Sequence, residues 1–453
     1  MTTIVPFNKE TIDTIIKKHS IDFNNTGIHK INQAICEIEQ CLNTKYIHLE
    51  FGIPGLPLPD VAKIQFSEEE LSLASKYPPL DGLPVLKNAA ADFIHKFYGI
   101  DINPQLVIPT VGTIQGSFAS IGTLGNLQKR KNKILVIAPA FPMTFTQISM
   151  WGLEVETVEV YGNRNEMLLQ SIEARFRQGT IAGILYSSPN NPSWITFNET
   201  ELEGIGQLCN KYDVFAIEDL AYMGMNLSSE EFSEQPRFST IAKYTDRYIL
   251  LISASKIFSY AGERIGLCIL SPKFFNYTSN HLLNKFGLKQ AGRAFTEAVI
   301  GTSTGGVATK SQLGLAKILK ACVEEQFCFI QYIQEYRSRA MEMKKVFKQN
   351  GFEIVYEKNG GEIVGDGFFF TVKYPGLKAD ELLKNLLYFG ISAISLKLTR
   401  SFSEEGIRIC TSLCNKESID LLNRRLRSFH HSHDCPNDEG SSEVKFPLYS
   451  KAG

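Results

Sequence analysis

The chain has 453 residues, enough for two or three domains, and 43% of them are hydrophobic, as expected of a soluble globular protein with a large core. Its 47 basic and 48 acidic residues leave a formal net charge of -1, which gives no electrostatic footprint for nucleic acid or an anionic membrane, so small molecules and a second copy of the chain are the expected partners. The nine cysteines are odd in number, dispersed and never spaced CxxC; neither a disulfide framework nor a zinc module is indicated, and a reducing, cytoplasmic compartment is expected. The start, Met1-Thr2-Thr3-Ile4-Val5-Pro6, lacks a basic region followed by an apolar one, and no apolar run approaches the roughly 20 residues of a membrane span, so the chain reads as untargeted.

Along the chain, short aliphatic runs alternate with stretches of helical period, the pattern of a parallel sheet covered by helices. Expected strands are 134–138, 155–160, 183–187, 214–217, 248–253 and 267–270; expected helices include 167–177 and 199–212, the latter opened by Asn198 as N-cap. After about residue 290 the pattern changes. A long helical stretch over 310–350 precedes strands at 352–356, 367–372 and 406–410, which reads as a smaller α+β domain. The expected division is an N-terminal segment 1–55 packing with the small domain, a large domain 56–290, a small domain 291–429 and a loosely held polar tail 430–453.

In an open α/β sheet, ligands bind at the carboxyl ends of strands. Here those ends carry chemistry: 183–187 runs into Ser188-Pro189-Asn190-Asn191-Pro192-Ser193, 214–217 into Glu218-Asp219-Leu220-Ala221-Tyr222, and 248–253 into Ser253-Ala254-Ser255-Lys256, with Arg264 beyond. An amine flanked by hydroxyls and followed by an arginine suits a phosphate-bearing aldehyde cofactor, pyridoxal 5'-phosphate (PLP): the lysine forms a Schiff base, and serines with a guanidinium hold the phosphate. A carboxylate beside the pyridine nitrogen keeps it protonated, and Asp219 is the candidate. At an effective dielectric of about 20, opposite charges about 3 Å apart attract by roughly 5 kcal/mol, enough to hold that nitrogen charged. Tyr222 and Asn191 can donate to the ring oxygen, the amides of Gly112 and Thr113 with the Thr113 hydroxyl can bind an anion if they open a helix, and Phe141, after the strand 134–138, can stack on a planar heterocycle. Taken singly, each has a plain reading as a cap, a turn or a core residue. Their occurrence at successive strand ends favours one site.

These elements, above all Ser-x-Ser-Lys with an arginine eight positions after the lysine, Asn-Asn-Pro and Asp-x-x-Tyr, resemble the fold type I, class I/II aminotransferases, the aspartate aminotransferase superfamily, over about residues 45 to 425. The resemblance implies a large PLP-binding domain with a mostly parallel seven-stranded sheet between helices, a smaller α+β domain, and an aminotransferase moving the amino group of an α-amino acid to a 2-oxo acid by a ping-pong mechanism. It implies that Lys256 anchors PLP and shuttles the proton, that Asp219 pairs with the pyridine nitrogen, that Asn191 and Tyr222 bind the ring oxygen and Phe141 stacks. Gly112, Thr113, Ser253 and Arg264 would hold the phosphate, with Ser255 a weaker candidate. It further implies a homodimer with shared active sites, in which Tyr77 reaches the neighbouring subunit's phosphate, and a role for Arg408 on the substrate α-carboxylate. A β-lyase or decarboxylase on the same scaffold, or a PLP-binding regulatory protein, are the alternative readings.

The chain departs from the family pattern at Trp194, where glycine is usual, and at Ser188, where many members have asparagine. Trp194 could reshape the substrate entrance; packing outward is the expectation. His430, His431, His433 and Cys435 are expected to solvate a tail rather than bind metal, and Gly301–Gly306 is expected to be a loop. Arg293 stands where acidic-substrate members carry a second arginine, but its neighbours do not match, and a surface helix is the expectation.

Overall fold

The computed structural model describes residues 6–226, 237–359, 361–403 and 405–434. Its centre is a seven-stranded sheet built from β1 (Val107–Thr110), β2 (Lys133–Ala138), β3 (Glu154–Glu159), β4 (Ile181–Ser187), β5 (Phe215–Asp219), β6 (Tyr248–Ser253) and β7 (Gly266–Leu270). The order across the sheet is β1-β7-β6-β5-β4-β2-β3, and only β7 runs antiparallel to its neighbours. Nearly every residue of β2, β4, β5, β6 and β7 is buried, as a sheet covered on both faces requires. The two apolar layers that cover it include Leu135, Ile184, Leu250 and Leu267 on one side and Ile134, Leu185, Ile249 and Cys268 on the other.

The covering helices used below are α1 (Lys9–Lys18), α2 (Ile28–Leu42), α3 (Pro84–Tyr98), α4 (Gly112–Leu124), α5 (Pro142–Met150), α6 (Glu199–Tyr212), α7 (Thr309–Val323), α8 (Phe329–Gln349) and α9 (Lys416–Asp434). Asn198 caps α6 as the sequence suggests: its side chain accepts from the Glu201 amide while Glu201 accepts from the Asn198 amide. Glycine sets how closely α4 approaches the sheet. A Cβ at Gly116 would lie 2.3 Å from the Cys268 sulfur, so any side chain there would lift the helix off β7.

A second core joins the start of the chain to its last third. Strands β8 (Glu353–Ile354), β9 (Phe369–Lys373), β10 (Ile394–Ser395) and β11 (Ile407–Cys410) form an antiparallel sheet in the order β10-β11-β9-β8. Ile12, Ile35 and Ile38 of α1 and α2 pack in one cluster with Met343 and Phe347 of α8, Ile409 of β11 and Leu422 and Leu426 of α9. The short segment Ile47–His48 also pairs in parallel with Ile391–Ser392.

Three expectations need correction. The helical stretch over 310–350 is two helices, α7 and α8, broken around Glu325, which takes φ +62°. No glycine or proline marks the break. It follows from packing, since Phe329 at the start of α8 enters a cluster with Phe93, Phe97, Phe238 and Phe258, ring centroids 5.1 to 6.4 Å away. The stretch Gly301–Gly306 is loop only at its end: Gly301 closes a π-helical segment, Thr302–Thr304 continue it, and Gly305 and Gly306 turn the chain at φ +66° and +106°. Finally, α9 continues through His430, His431 and His433, where the sequence reads as tail; the His430 ring bonds the Tyr374 hydroxyl at 2.8 Å, and His433 packs on Phe429. Among the described residues no group of three His, Cys, Asp or Glu side chains could hold a metal ion, and no helix is long and apolar enough to cross a membrane; Cys435 lies outside the described residues.

Candidate active site

The register of the central sheet decides which residues meet. Ser187 lies beside Asp219, Asp219 beside Leu251, and Ser253 beside Gly266, which in turn lies beside Thr110. Strand ends β4, β5 and β6 therefore deliver the Asn-Asn-Pro turn, Asp219 and the Lys256 segment to one edge. At that edge Ser253 caps the short helical turn Ala254–Ile257, its hydroxyl accepting from the Ser255 amide at 3.2 Å, and both serines are buried.

The anion-binding candidates converge through Gly266. A Cβ on that glycine would stand 2.8 Å from the Thr113 amide nitrogen, which shows how closely β7 approaches the first turn of α4. Gly112 takes φ +64°, its amide donates to the Arg264 carbonyl at 3.0 Å, and a Cβ on it would lie 2.9 Å from Arg264 Nη2. A non-glycine residue at 112 would be strained and would crowd the guanidinium. Thus the start of a 13-residue helix, a threonine, a serine and an arginine surround one place, with Arg264 exposed and its Nη1 donating to the Ala261 carbonyl.

Three ionisable groups lie close by. Asp219 accepts one hydrogen bond, from the Ala221 amide at 3.0 Å; burial pushes its carboxyl up to about 6, against that bond. Burial, reinforced by the cations of Arg264 and Arg408 and opposed by Cys410, pushes the Lys256 ammonium down to about 8, and its Nζ lies 5.8 Å from the centre of the Phe368 ring. Arg408, 1% exposed, donates to the Asn191 side-chain oxygen (3.2 Å) and to the Glu50 carbonyl (2.5 Å) and lies 4.4 Å over Phe369, yet its Nε has no partner. Among the described residues none of the three forms an ion pair.

The remaining candidates divide. Asn191 links Arg408 to the buried Tyr222 hydroxyl, whose acidity burial suppresses. Phe141 precedes α5, half-buried, with no ring or cation on its face among the described residues. Tyr77 is 96% exposed. Arg293 gives its guanidinium fork to Glu297 at 2.6 and 3.0 Å on the exposed face of a helix whose other residues are largely buried.

Sequence reasoning missed the supports of Arg408. Glu50 is fully buried; burial would raise its carboxyl, but the His48 ring at 2.7 Å and the Ser392 hydroxyl hold it below the usual range, fixing the carbonyl that Arg408 uses. Phe369 was findable, because β9 and β11 pair antiparallel and alternate residues share a face. Trp194 overturns the outward expectation: it is 2% exposed, edge-on to Tyr222 (5.6 Å) and Phe369 (6.4 Å). It holds φ +64°, a cost of about 1–2 kcal/mol for a non-glycine residue, and leaves a buried Nε1 proton unpaired, about 1–3 kcal/mol more.

The donor set matches PLP. An enclosed carboxylate with one hydrogen bond suits a pyridinium, an anion cradle a phosphate, an unpaired lysine an aldehyde, and an open phenylalanine face a flat ring. A donor set of this kind, at the carboxyl edge of a mostly parallel sheet with one antiparallel strand, is the kind that PLP-binding proteins of this fold carry. The aminotransferase class I and II family model matches residues 44–426, and the chain belongs to that PLP-dependent family. It is 24% identical over 244 residues to a probable aspartate aminotransferase of Methanocaldococcus jannaschii, covering 53% of this chain and 61% of the relative, so it spans about three fifths of that relative's length. It is also 24% identical to human kynurenine–oxoglutarate transaminase 3, covering 79% of this chain and 80% of the relative. In fold it is similar to a Thermus thermophilus aspartate aminotransferase (TM-score 0.72, 18% identity, 89% of this chain and 97% of that one) and to a methionine aminotransferase from Escherichia coli (TM-score 0.70, 20% identity, 90% and 99%).

The depressed lysine has a pH consequence. Moving the ammonium from 10.5 to about 8 means that below pH 8 each unit lowers the neutral, nucleophilic fraction of Lys256 about tenfold, while above it the fraction saturates. The rate at which PLP condenses with the cofactor-free protein, followed by absorbance, is expected to rise to about pH 8 and then level. A rate still climbing toward pH 10 would show an ordinary, solvated amine.

Proposed function

We propose that this protein is a PLP-dependent aminotransferase that moves the amino group of an α-amino acid to a 2-oxo acid. The observation that carries the reading is the convergence of Lys256, Asp219 and Arg408, desolvated and without ion-pair partners among the described residues, at one sheet edge. On this reading the chain divides into the segment 1–55, a large domain 56–290 that binds the cofactor and a small domain from 291 that brings the substrate arginine.

Each residue has one task. Lys256 Nζ would hold the cofactor and, once released, would move a proton between the substrate's α-carbon and the former aldehyde carbon two bonds from it, a role that its amine, about half neutral at pH 8, can fill. Asp219 keeps a positive charge opposite it, and Tyr222 and Asn191 donate to a negative oxygen. Arg408 takes the α-carboxylate in bidentate form, for which its unpaired Nε is available. Gly112, Thr113, Ser253 and Arg264 hold the phosphate, Ser255 supports their turn, and Phe141 covers one face. Bound there, PLP supplies an electron sink for the pair left at the α-carbon.

The test is a single half-reaction. Amino acids added one at a time to the PLP-loaded protein, with no acceptor, are expected to yield one equivalent of 2-oxo acid and neither ammonia nor carbon dioxide. Pyruvate with ammonia would replace the reading by a β-lyase, and carbon dioxide by a decarboxylase; no product from any amino acid would favour a regulatory PLP-binding protein.

We also infer a cytoplasmic homodimer in which Tyr77 completes the partner's phosphate site. The reading is supported by a tyrosine 96% exposed on the single chain, and by the fact that an isologous interface completes two sites at once. Tyr77→Phe is expected to weaken PLP retention by about 1 kcal/mol or more, the cost of a hydrogen bond to a charged group. Dilution to monomers, read by sedimentation, is expected to release cofactor in step with lost activity. A fully active monomer would contradict it.

A further inference from the structure

Trp194 sits where two parts of the chain meet. It follows the Asn-Asn-Pro turn, its amide donating to the Asn190 carbonyl at 2.9 Å, and its indole reaches across to the loop before β9. There Gly367 makes room for it: a Cβ at that position would lie 2.1 Å from Trp194 Cζ2 and 2.8 Å from Nε1. Among the described residues Arg408 lies over Phe369 and Lys256 near Phe368, and no cation lies over the indole. It contacts the rings that orient their neighbours.

Tyr222 is enclosed by Trp194 at 5.6 Å, Phe368 at 5.6 Å and Phe369 at 5.5 Å. Phe369 in turn carries the Arg408 guanidinium, and Asn191, three positions before Trp194, bonds Arg408 Nη1 and faces the Tyr222 hydroxyl. One side chain therefore sets the tilt of both rings in the Tyr222–Asn191–Arg408 donor set. Its left-handed backbone, unpaired Nε1 and demand for glycine at 367 all work against stability, so a purely structural role accounts for it poorly.

We propose that Trp194 is a positioning residue for substrate binding: by wedging between Tyr222 and Phe369 it fixes Arg408 and Asn191 in the geometry that receives the α-carboxylate. The proposal rests on the aminotransferase reading. It adds that this chain substitutes an indole for backbone freedom at the turn, so that its carboxylate site is formed before substrate arrives.

The chain has only two tryptophans, so Trp151→Phe leaves Trp194 as the sole emitter. Trp151 packs on Phe118 and Phe286, away from the site. In the PLP-loaded W151F protein, straight-chain carboxylates from propionate to hexanoate are expected to change Trp194 emission saturably, and Arg408→Lys to raise the half-saturating concentration about tenfold or more. Trp194→Gly is expected to raise KM for the best amino acid about tenfold with kcat within about threefold, and Trp194→Phe to restore KM to within about threefold of the parent. A Trp194→Gly enzyme with the parent's KM overturns the proposal. So does Trp194 emission that stays constant at carboxylate concentrations that inhibit the enzyme, a result obtained even if the glycine variant does not fold. Failure of the aminotransferase reading would show instead as unchanged cofactor and no 2-oxo acid in the parent protein.

Discussion

Asp219, Lys256 and Arg408 are brought out of water at one edge of the sheet without a direct ion pair among the described residues. Desolvating an ion without compensation is among the costliest things a fold can do, and the direction of the shifts says so: the carboxyl rises to about 6, the ammonium falls to about 8, and the guanidinium is pushed down too. A flexible scaffold would relax the charges toward solvent or toward each other. The structure must hold them apart and dry, and much of its architecture follows from that requirement.

The rigidity comes from layers with little room to adjust. Asp219 ends a strand paired on both sides, Gly116 lets α4 lie against Cys268 with no side chain between, and Gly112 and Gly266 bring the helix start and β7 close enough to form an anion cradle. Arg408 is held from three directions: a carbonyl from the start of the chain, an amide from the Asn-Asn-Pro turn and a ring from the adjacent strand. The Glu50–His48–Ser392 network ties that support to the paired segments Ile47–His48 and Ile391–Ser392. The start of the chain thus bears on the placement of Arg408, because the Glu50 carbonyl that holds it lies just beyond the N-terminal helices.

The large sheet and its chemistry were legible because local signals agreed with each other there. The strand Tyr248–Ser253 and the helix Glu199–Tyr212 were bounded as the aliphatic run and the Asn198 cap suggest, and Lys256, Asp219 and Asn191 follow strand ends visible as changes of period. What stayed hidden depends on contacts distant in sequence. The break before Phe329 carries no turn residue and is set by four phenylalanines elsewhere; the helical state of His430 and His433 is set by Tyr374 and Phe429; and the burial of Trp194 requires Gly367. The support of Arg408 by Glu50 is of the same kind, a backbone contact that no side-chain pattern announces.

On the proposed reading Lys256 is the one amine that holds the cofactor. Borohydride treatment of the PLP-loaded protein, followed by proteolysis and mass spectrometry, locates that amine directly. The account predicts a phosphopyridoxyl group on the peptide containing Lys256, at about one equivalent per chain and absent from Lys256→Ala. A label on another lysine, or spread over many with Lys256 unmodified, would contradict it.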